Sequence, residues 1–392
     1  MPIYAGLEPA KTRPFTMQTA GIYIHIPFCT KKCGYCDFNA YSGYKDATKA
    51  RYIDALCQEI VTRADDQARI PTIFFGGGTP TILAASDLVR ILNTVRENFV
   101  VDADAEISTE ANPSDADEAY LRTLCEAGFN RLSFGVQTFD DRLLRTIDRI
   151  HSGQDAVGAI KKAKRAGFTN ISIDLMFGLP RQTLADFDRS LDAAFALDVP
   201  HLSIYGLIVE ERTPFHARRE RGKLPLPSEN VETTMFAHAM ERTANAGYSR
   251  YEISNYARPG FESRHNQIYW CNESYFGFGA GAAAYLDGVR SMNEKHPVRY
   301  AEQAVAGNVP IVESERLRPE ETMGETMMVG LRLAKGVDLT RFAERFGVRA
   351  EEQFSGAIAR QTERGLLENT GTHLRLTNRG VFLASEVMTE FV

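Results

Sequence analysis

With 392 residues, the chain is too long for one ordinary hydrophobic core, and its length predicts two domains. Hydrophobic residues make up 44% of the sequence and charged residues 24%, which is typical of a soluble globular protein. The net charge of −6 gives no electrostatic reason to expect nucleic acid as a partner.

The N-terminal segment, residues 1–19, has no apolar run of the kind that a secretory signal requires. No later stretch approaches about 18 uninterrupted apolar residues, so we expect no membrane span. The sequence therefore predicts a cytoplasmic protein, for which peripheral contact with a membrane stays open. The pattern predicts an N-terminal extension over residues 1–20, a first domain over 21–300 and a C-terminal domain over 310–392.

The first domain alternates short apolar runs with longer amphipathic stretches. The runs predict six strands, at residues 21–26, 72–75, 105–109, 131–136, 170–176 and 201–207. The stretches between them predict helices, among them residues 47–63, 86–98, 117–127 and 183–197. This alternation predicts an α/β fold of parallel strands with helical crossovers, either an open sheet or a partial (β/α)6 barrel. Sites in such folds lie at the carboxyl ends of the strands.

The alternation of predicted strands and helices ends at about Pro310. Residues 319–333, 339–346 and 350–364 have helical patterns, and residues 366–377 predict a hairpin that turns near Gly371. Helices followed by a hairpin indicate a small winged-helix-like α+β domain. The acidic chain has no basic recognition helix there, which argues against DNA binding.

Three cysteines, Cys29, Cys33 and Cys36, follow the first predicted strand within eight residues. Three thiolates can each bind one iron of a [4Fe–4S] cluster and leave the fourth iron without a protein ligand. That open iron can chelate the amino and carboxylate groups of S-adenosylmethionine (SAM).

Structural zinc is the alternative reading of the three cysteines. Zinc sites normally have four ligands, and no second cysteine pair follows here, although His25 or Asp37 could complete a site. We therefore favour the iron–sulfur cluster and keep zinc as the alternative. Cys57 and Cys125 lie on apolar helix faces, where a free cysteine behaves as a small hydrophobic residue.

Ordered motifs run from Tyr23 to about Gly281: YIHIPFC, GGGTPT, EANP, RLSFGVQ, RIHS, IDLMFGLP and HNxxYW. Together they resemble the radical SAM superfamily, in the branch of anaerobic coproporphyrinogen III oxidases and HemW-type haem chaperones. The resemblance implies a radical SAM barrel, a [4Fe–4S] cluster and bound SAM.

The resemblance also implies a set of SAM contacts. Tyr23 matches a position beside the methionyl group, and Tyr35 one that contacts the adenine. The remaining matches are Gly77, Gly78 and Thr79, in a loop that binds the SAM amino group, and Glu110, Gln137, Arg149, Asp174 and Ile208. A glycine loop lets backbone approach a ligand closely, an arginine can pair with a carboxylate, and an aspartate can accept from ribose hydroxyls.

Two features bear on the choice between oxidase and chaperone. The oxidases resemble this chain but carry a fourth cysteine two residues after the third, where this chain has Phe38. The HNxxYW motif, residues 265–270, matches the haem chaperone group, and His265 is a candidate axial ligand for haem iron. The alternatives are a histidine that is hydrogen-bonded within the fold, and Cys271 as a thiolate ligand.

Residues 277–282, GFGAGA, formally fit the G-x-G-x-x-A pattern of dinucleotide-binding folds. We expect no strand before this segment, and a dinucleotide site needs both a strand and a βαβ unit. We therefore interpret it as scaffold with close backbone contacts.

Three functions remain open on this reading. The favoured one is a haem chaperone that binds haem as cargo and delivers it to acceptor haemoproteins such as respiratory proteins. The second is an oxygen-independent coproporphyrinogen III oxidase, and the third is a radical SAM enzyme with an unrelated substrate. The resemblance allows a homodimer, and it assigns the C-terminal domain either to covering the site or to contacting the acceptor.

Overall fold

The computed structural model describes residues 19–115 and 117–392, so most of the predicted N-terminal extension lies outside the described residues. The strands of the described part are β1 Gly21–Ile26, β2 Phe28–Cys29, β3 Tyr41–Ser42, β4 Asp65–Gly77, β5 Phe99–Ala111, β6 Arg131–Gln137, β7 Asn170–Phe177, β8 His201–Gly206, β9 Ser249–Arg250, β10 Asn255–Ala257, β11 Tyr275–Phe278, β12 Ala283–Leu286, β13 Val289–Asn293, β14 Ile311–Arg316, β15 Val337–Asp338, β16 Leu367–Asn369 and β17 His373–Leu376.

The α-helices of the described part are α1 Asp46–Thr62, α2 Ala85–Asn98, α3 Glu118–Glu126, α4 Asp141–Thr146, α5 Gly153–Arg165, α6 Leu184–Ala196, α7 Pro214–Glu220, α8 Glu229–Asn245, α9 Arg264–Trp270, α10 Pro297–Val305, α11 Pro319–Gly330, α12 Leu339–Phe346, α13 Ala350–Gln353, α14 Ser355–Glu363 and α15 Ala384–Met388. Short 3₁₀ turns occupy Pro80–Ile82, Gly380–Leu383 and Thr389–Phe391. No helix within residues 19–115 and 117–392 has the length and apolar character needed to cross a membrane.

The main sheet is built on six parallel strands in the order β1-β4-β5-β6-β7-β8. Helices α1, α2, α3, α5 and α6 form the crossovers, so the predicted α/β fold with a partial (β/α)6 barrel is confirmed. Because the strands are parallel, their carboxyl ends meet at one edge, where the glycine loop after β4 and the polar residues after β5 and β6 lie.

Local sequence explains why these elements form. Ile22, Ile24 and Ile26 of β1 are fully buried in the core, as expected where alternate side chains point to one face of a strand. Helix α5 starts with a capping box in which the Ser152 hydroxyl accepts from the Asp155 amide and the Asp155 carboxylate accepts from the Ser152 amide. Such capping residues determine where a helix begins after the preceding loop.

The segment around GFGAGA differs from the expectation. Tyr275–Phe278 forms β11, a strand that pairs in parallel with β1 and adds to the six predicted strands. The absence of a strand was therefore a wrong prediction. The chain then turns into β12, which is antiparallel to β11, so no helix follows the glycines and no dinucleotide-binding βαβ unit forms.

The C-terminal part has its own buried apolar cluster, which includes Met327, Leu331, Phe342 and Val387. Strands β15, β17 and β16 form a three-stranded sheet beside α11, α12 and α14, the arrangement of a winged helix. The predicted helix over residues 350–364 is split at Phe354 into α13 and α14. The domain boundaries themselves stay a prediction.

Candidate cofactor-binding cleft

A cleft with a cavity volume of about 130 Å³ opens at the carboxyl ends of the parallel strands, where ligands bind in such folds. The three cysteines line it together with most of the predicted SAM contacts, namely Tyr35, Gly77, Gly78, Thr79, Glu110, Gln137, Arg149 and Asp174. These residues come from four strands, β4, β5, β6 and β7, from the connection that carries Arg149 and from the cysteine loop. Their convergence follows from the parallel topology.

The cysteine loop runs across the mouth of the cleft after β1. The side chain of Arg149 donates from Nη1 to the Cys33 sulfur at 3.7 Å, and the Cys29 sulfur lies 3.6 Å from Thr79 Oγ1. Burial raises the pKa of the Cys29 thiol and raises that of Cys36 to about 11. In the metal-free chain the thiols of Cys29 and Cys36 therefore hold their protons, and cluster binding would release them.

Asn112 is a member of the site that the sequence reasoning did not assign. Its amide donates to Thr79 Oγ1 at 3.0 Å, and its carbonyl oxygen accepts from Arg149 Nη2 at 2.8 Å. A hydrogen-bonded chain thus links Cys33, Arg149, Asn112, Thr79 and Cys29. The signal was present, because Asn112 belongs to the EANP motif at the end of β5.

Gly77 is required by both conformation and space. Its φ is +114°, in the region that favours glycine, and a Cβ there would lie 2.4 Å from the His25 ring. The amides of Gly78 and Thr79 donate to the carbonyl oxygens of Ile26 and Phe28 at 2.8 Å. The loop therefore closes tightly over the end of β1 and places Thr79 beside Cys29.

Two carboxyl groups line the inner wall of the cleft. Glu110 accepts from the Gly77 amide at 3.2 Å, and burial together with the nearby Asp174 raises the pKa of Glu110 to about 8. Burial also raises the pKa of Asp174, whose carboxylate accepts from Ser133 at 3.0 Å. Such a pair can accept hydrogen bonds from hydroxyl or ammonium groups of a ligand.

Two other predicted contacts lie outside the lining of the cleft. Tyr23 is on β1, its hydroxyl is 2.9 Å from His25 Nδ1, and its ring would be 3.2 Å from a Cβ at Gly76. Ile208 follows β8 with 69% of its surface exposed. Their contacts with SAM stay predictions, and that of Ile208 is the less supported, since its side chain does not reach the cleft wall.

His265 lies in a different place, on α9 against the inner face of β4. Its Nδ1 is 2.8 Å from Thr72 Oγ1, its Nε2 is 2.9 Å from the Tyr269 hydroxyl, and its ring stacks on Phe74. The residue is 1% exposed, and burial lowers its pKa to about 3. In this arrangement both ring nitrogens are occupied, so the structure does not favour His265 as an axial ligand of haem iron.

The residues of the cleft fit the group that the cysteine motif indicates. Three thiols line one cavity, with Arg149 and Lys32 available to balance the negative charge of thiolates. No three His, Cys, Asp or Glu side chains in the described ranges converge closely enough to bind a single metal ion. A four-iron cluster instead binds its three thiolates at three different irons.

Family models match both parts of the chain. The Radical SAM superfamily model matches residues 23–194, and the HemN C-terminal domain model matches residues 317–383. The first match spans the cysteine loop and strands β1 to β7, and the second spans α11 to β17. The superfamily match implies a [4Fe–4S] cluster and SAM for the cleft.

Similar proteins cover nearly the whole chain. The heme chaperone HemW of Bacillus subtilis (strain 168) is 41% identical over 94% of this chain and 98% of its own length. Its counterpart in Mycobacterium tuberculosis (strain ATCC 25618 / H37Rv) is 37% identical over 98% of this chain and 96% of its own length. The solved structure of coproporphyrinogen III oxidase (HemN) from Escherichia coli superposes with a TM-score of 0.85 at 26% identity, over 97% of this chain and 91% of that chain.

Proposed function

The chain belongs to the HemW family of haem chaperones within the radical SAM superfamily, and on that premise we propose that it binds haem and delivers it to acceptor haemoproteins, respiratory proteins among them. One observation carries the proposal. Identity to the chaperones is 41% and 37% over almost the full length of both proteins, whereas identity to the oxidase is 26% over a similar span.

Phe38 supports the same choice. It stands where the resemblance places the fourth cysteine of the oxidases, and 63% of its surface is exposed at the mouth of the cleft. A phenyl ring cannot replace a thiol as a ligand or as a hydrogen donor. The chain therefore lacks a group that distinguishes the oxidases from the chaperones.

We assign the cleft to the cluster and SAM. Cys29, Cys33 and Cys36 would hold the cluster, and its open iron would supply the binding site for the amino and carboxylate groups of SAM. Arg149 lies where its guanidinium can pair with a carboxylate, and the hydroxyl of Thr79 and the carboxylate of Glu110 can accept from an ammonium group. In this proposal SAM and the cluster support the loading or transfer of haem.

An anaerobic assay separates chaperone from oxidase. The protein with reconstituted cluster is incubated with coproporphyrinogen III, SAM and a strong reductant, and decarboxylated products are followed by chromatography. The chaperone proposal predicts no protoporphyrinogen, while haem-loaded protein transfers haem to an apo-haemoprotein, as measured by the absorption spectrum of the acceptor. Protoporphyrinogen formation without haem transfer would replace the proposal by the oxidase alternative.

The Cys33→Ala variant, unable to hold a complete cluster, serves as the control in both assays. Cytoplasmic location, peripheral membrane contact and a homodimer belong to the same proposal. Cell fractionation tests the location and the membrane contact, and size-exclusion chromatography with and without the cluster tests the homodimer.

A further inference from the structure

Cationic side chains are concentrated where helix α7 meets the cysteine loop. The whole chain has a net charge of −6, so this concentration runs against the overall balance. Six exposed cations belong to it: Lys31, Lys32, Arg218, Arg219, Arg221 and Lys223. Three acidic residues accompany them: Asp37, Asp148 and Glu220. We call these nine residues the basic surface.

The cations of the loop and those of the helix form one continuous surface. Lys31 and Arg218 share the carboxylate of Asp148, with a distance of 3.5 Å between nitrogen and oxygen in each pair. Three further cations form no ion pair with any residue of the described ranges: Arg219, Arg221 and Lys223. Exposed charges without an internal partner attract an oppositely charged surface and speed its association.

Helix α7 lies directly against the cysteine loop. The Phe215 amide donates to the Gly34 carbonyl oxygen at 2.9 Å, and the Phe215 ring packs edge-on against Tyr35. The packing is tight, since a Cβ at Gly34 would lie 2.8 Å from the Phe215 ring. Gly34 directly follows Cys33 and precedes Cys36 by two residues. A short covalent and hydrogen-bonded route therefore joins the surface of α7 to two of the candidate cluster ligands.

This location favours a redox partner over other acidic macromolecules. An iron–sulfur cluster exchanges single electrons, so a protein that reduces it has to bind close to the thiolate ligands. Encounters between electron-transfer proteins bury little surface, and opposite charges steer them together. A patch of unpaired cations beside the cysteine loop has the charge and the position that such an encounter requires.

We propose that the basic surface is the docking site of an acidic protein that carries a low-potential one-electron centre, either a flavin or an iron–sulfur cluster. The inference rests on the proposed function, which assigns a [4Fe–4S] cluster to the cleft. In the complex the reduced partner loses one electron and the cluster gains it, while no covalent bond forms or breaks.

Reduction of the cluster-loaded, full-length protein by reduced flavodoxin, an acidic flavoprotein, tests the surface. Stopped-flow absorption under anaerobic conditions measures the second-order rate constant. In the double variant Arg219→Glu with Lys223→Glu, this constant should fall at least about tenfold at low ionic strength, because attraction becomes repulsion. The difference should shrink at high salt. Calorimetry should show a weaker affinity of the same variant for oxidised flavodoxin, a result that does not depend on activity.

A matched control reverses two exposed cations elsewhere, Lys161 on α5 and Arg379 in the C-terminal part. Lys161→Glu with Arg379→Glu should bind flavodoxin and accept its electron as the wild type does. The absorption spectrum and iron content of both double variants should match those of the wild type, which shows that the cluster site is intact.

The outcomes separate this inference from the proposed function. Equal rates and affinities in the wild type and in Arg219→Glu with Lys223→Glu overturn the docking site and leave the chaperone function standing. Unchanged reduction by flavodoxin together with lost binding to phosphatidylglycerol vesicles overturns it as well, and assigns the surface to a membrane. A wild-type protein that assembles no four-iron cluster overturns the proposed role of the cleft too.

Discussion

Individual residues around the cleft are explained by their backbone conformation and by their burial. Gly77 has a positive φ and its neighbours leave no room for a side chain, so two independent reasons require glycine there, while burial and the nearby Asp174 raise the pKa of Glu110. Both positions were assigned from the sequence by motif. Their physical reasons became visible once the chain was folded, since His25 and Asp174 are their neighbours in space and not in sequence.

Gly77→Ala should lower the free energy of unfolding by about 1–3 kcal/mol, because alanine at this φ is strained and its Cβ meets the His25 ring. Chemical denaturation of the cofactor-free protein measures the change. Gly158→Ala is the matched control, since a Cβ there meets nothing within 4 Å inside helix α5, and it should stabilise slightly. Equal effects of the two substitutions would contradict the steric argument.

Glu110 predicts a pH dependence of stability. Its pKa is raised from 4.5 to about 8, so the unfolded chain loses its proton at lower pH than the folded protein does. The contribution of the protonated group is fully present below pH 4.5 and is lost as pH rises to about 8. In cofactor-free protein, Glu110→Gln should therefore raise stability at pH 8 by about 1–2 kcal/mol, with little difference near pH 4.5.

Thermal unfolding across this pH range measures the effect, and SAM affinity of the same variant should fall because a carboxylate acceptor is lost. Glu118→Gln is the control. Its carboxylate is paired with Arg165 and Arg122 at the surface, which lowers its pKa, so the substitution should not stabilise the protein at high pH. If the stability difference between the wild type and Glu110→Gln did not change with pH, the raised pKa of Glu110 would be refuted.

Secondary-structure elements bring the site residues to their places. Arg149 lies in the short connection between α4 and α5, and the capping box at Ser152 begins helix α5 three residues later.

The strands at residues 21–26 and 131–137 were predicted to within one residue. Strands β4 and β5 are longer than predicted, because their first halves pair with each other at registers that no local pattern encodes.

Ser152→Ala should cost about 1 kcal/mol of stability, because the hydroxyl that caps the Asp155 amide is lost. The loss should also weaken SAM binding, since the turn that carries Arg149 is no longer anchored. Ser228→Ala provides the comparison. Ser228 is the N-cap residue of α8 but makes no side-chain cap bond, so its replacement should change the unfolding midpoint much less. If Ser228→Ala lost more stability than Ser152→Ala, the hydrogen bond of the Ser152 cap would not be the source of the stability.

The two parts of the chain meet at a small set of buried polar groups. Arg332, after α11, lies 4.3 Å over the ring of Trp270 and 3.8 Å from the buried carboxylate of Glu252. Glu252 is further held by Asn255 and by the Ser254 amide. Trp270 at the end of α9 and Arg332 after α11 therefore connect the two parts of the chain at this junction.

Arg332→Met keeps the hydrocarbon stem but removes the charge, and it should destabilise the protein by about 1–3 kcal/mol because Glu252 loses its cation. Trp270 is the one tryptophan in the sequence, so intrinsic tryptophan fluorescence reports on this junction directly. Arg375→Met, which removes an exposed pair with Glu368, should cost less than about 1 kcal/mol. An unchanged tryptophan emission in Arg332→Met would argue against the contact.

The sequence by itself determined the α/β barrel, the winged-helix-like C-terminal part, the family and the cysteine-centred site. These are written in local patterns: alternation in strands, periodicity and caps in helices, and the spacing of Cys29, Cys33 and Cys36. Strand β11, the buried position of His265 and the contacts of Arg332 with Trp270 and Glu252 needed the folded chain. The reason is distance along the sequence: Thr72 and His265 are 193 residues apart, and a pairing across such a distance is selected by packing of the whole chain and by no local pattern.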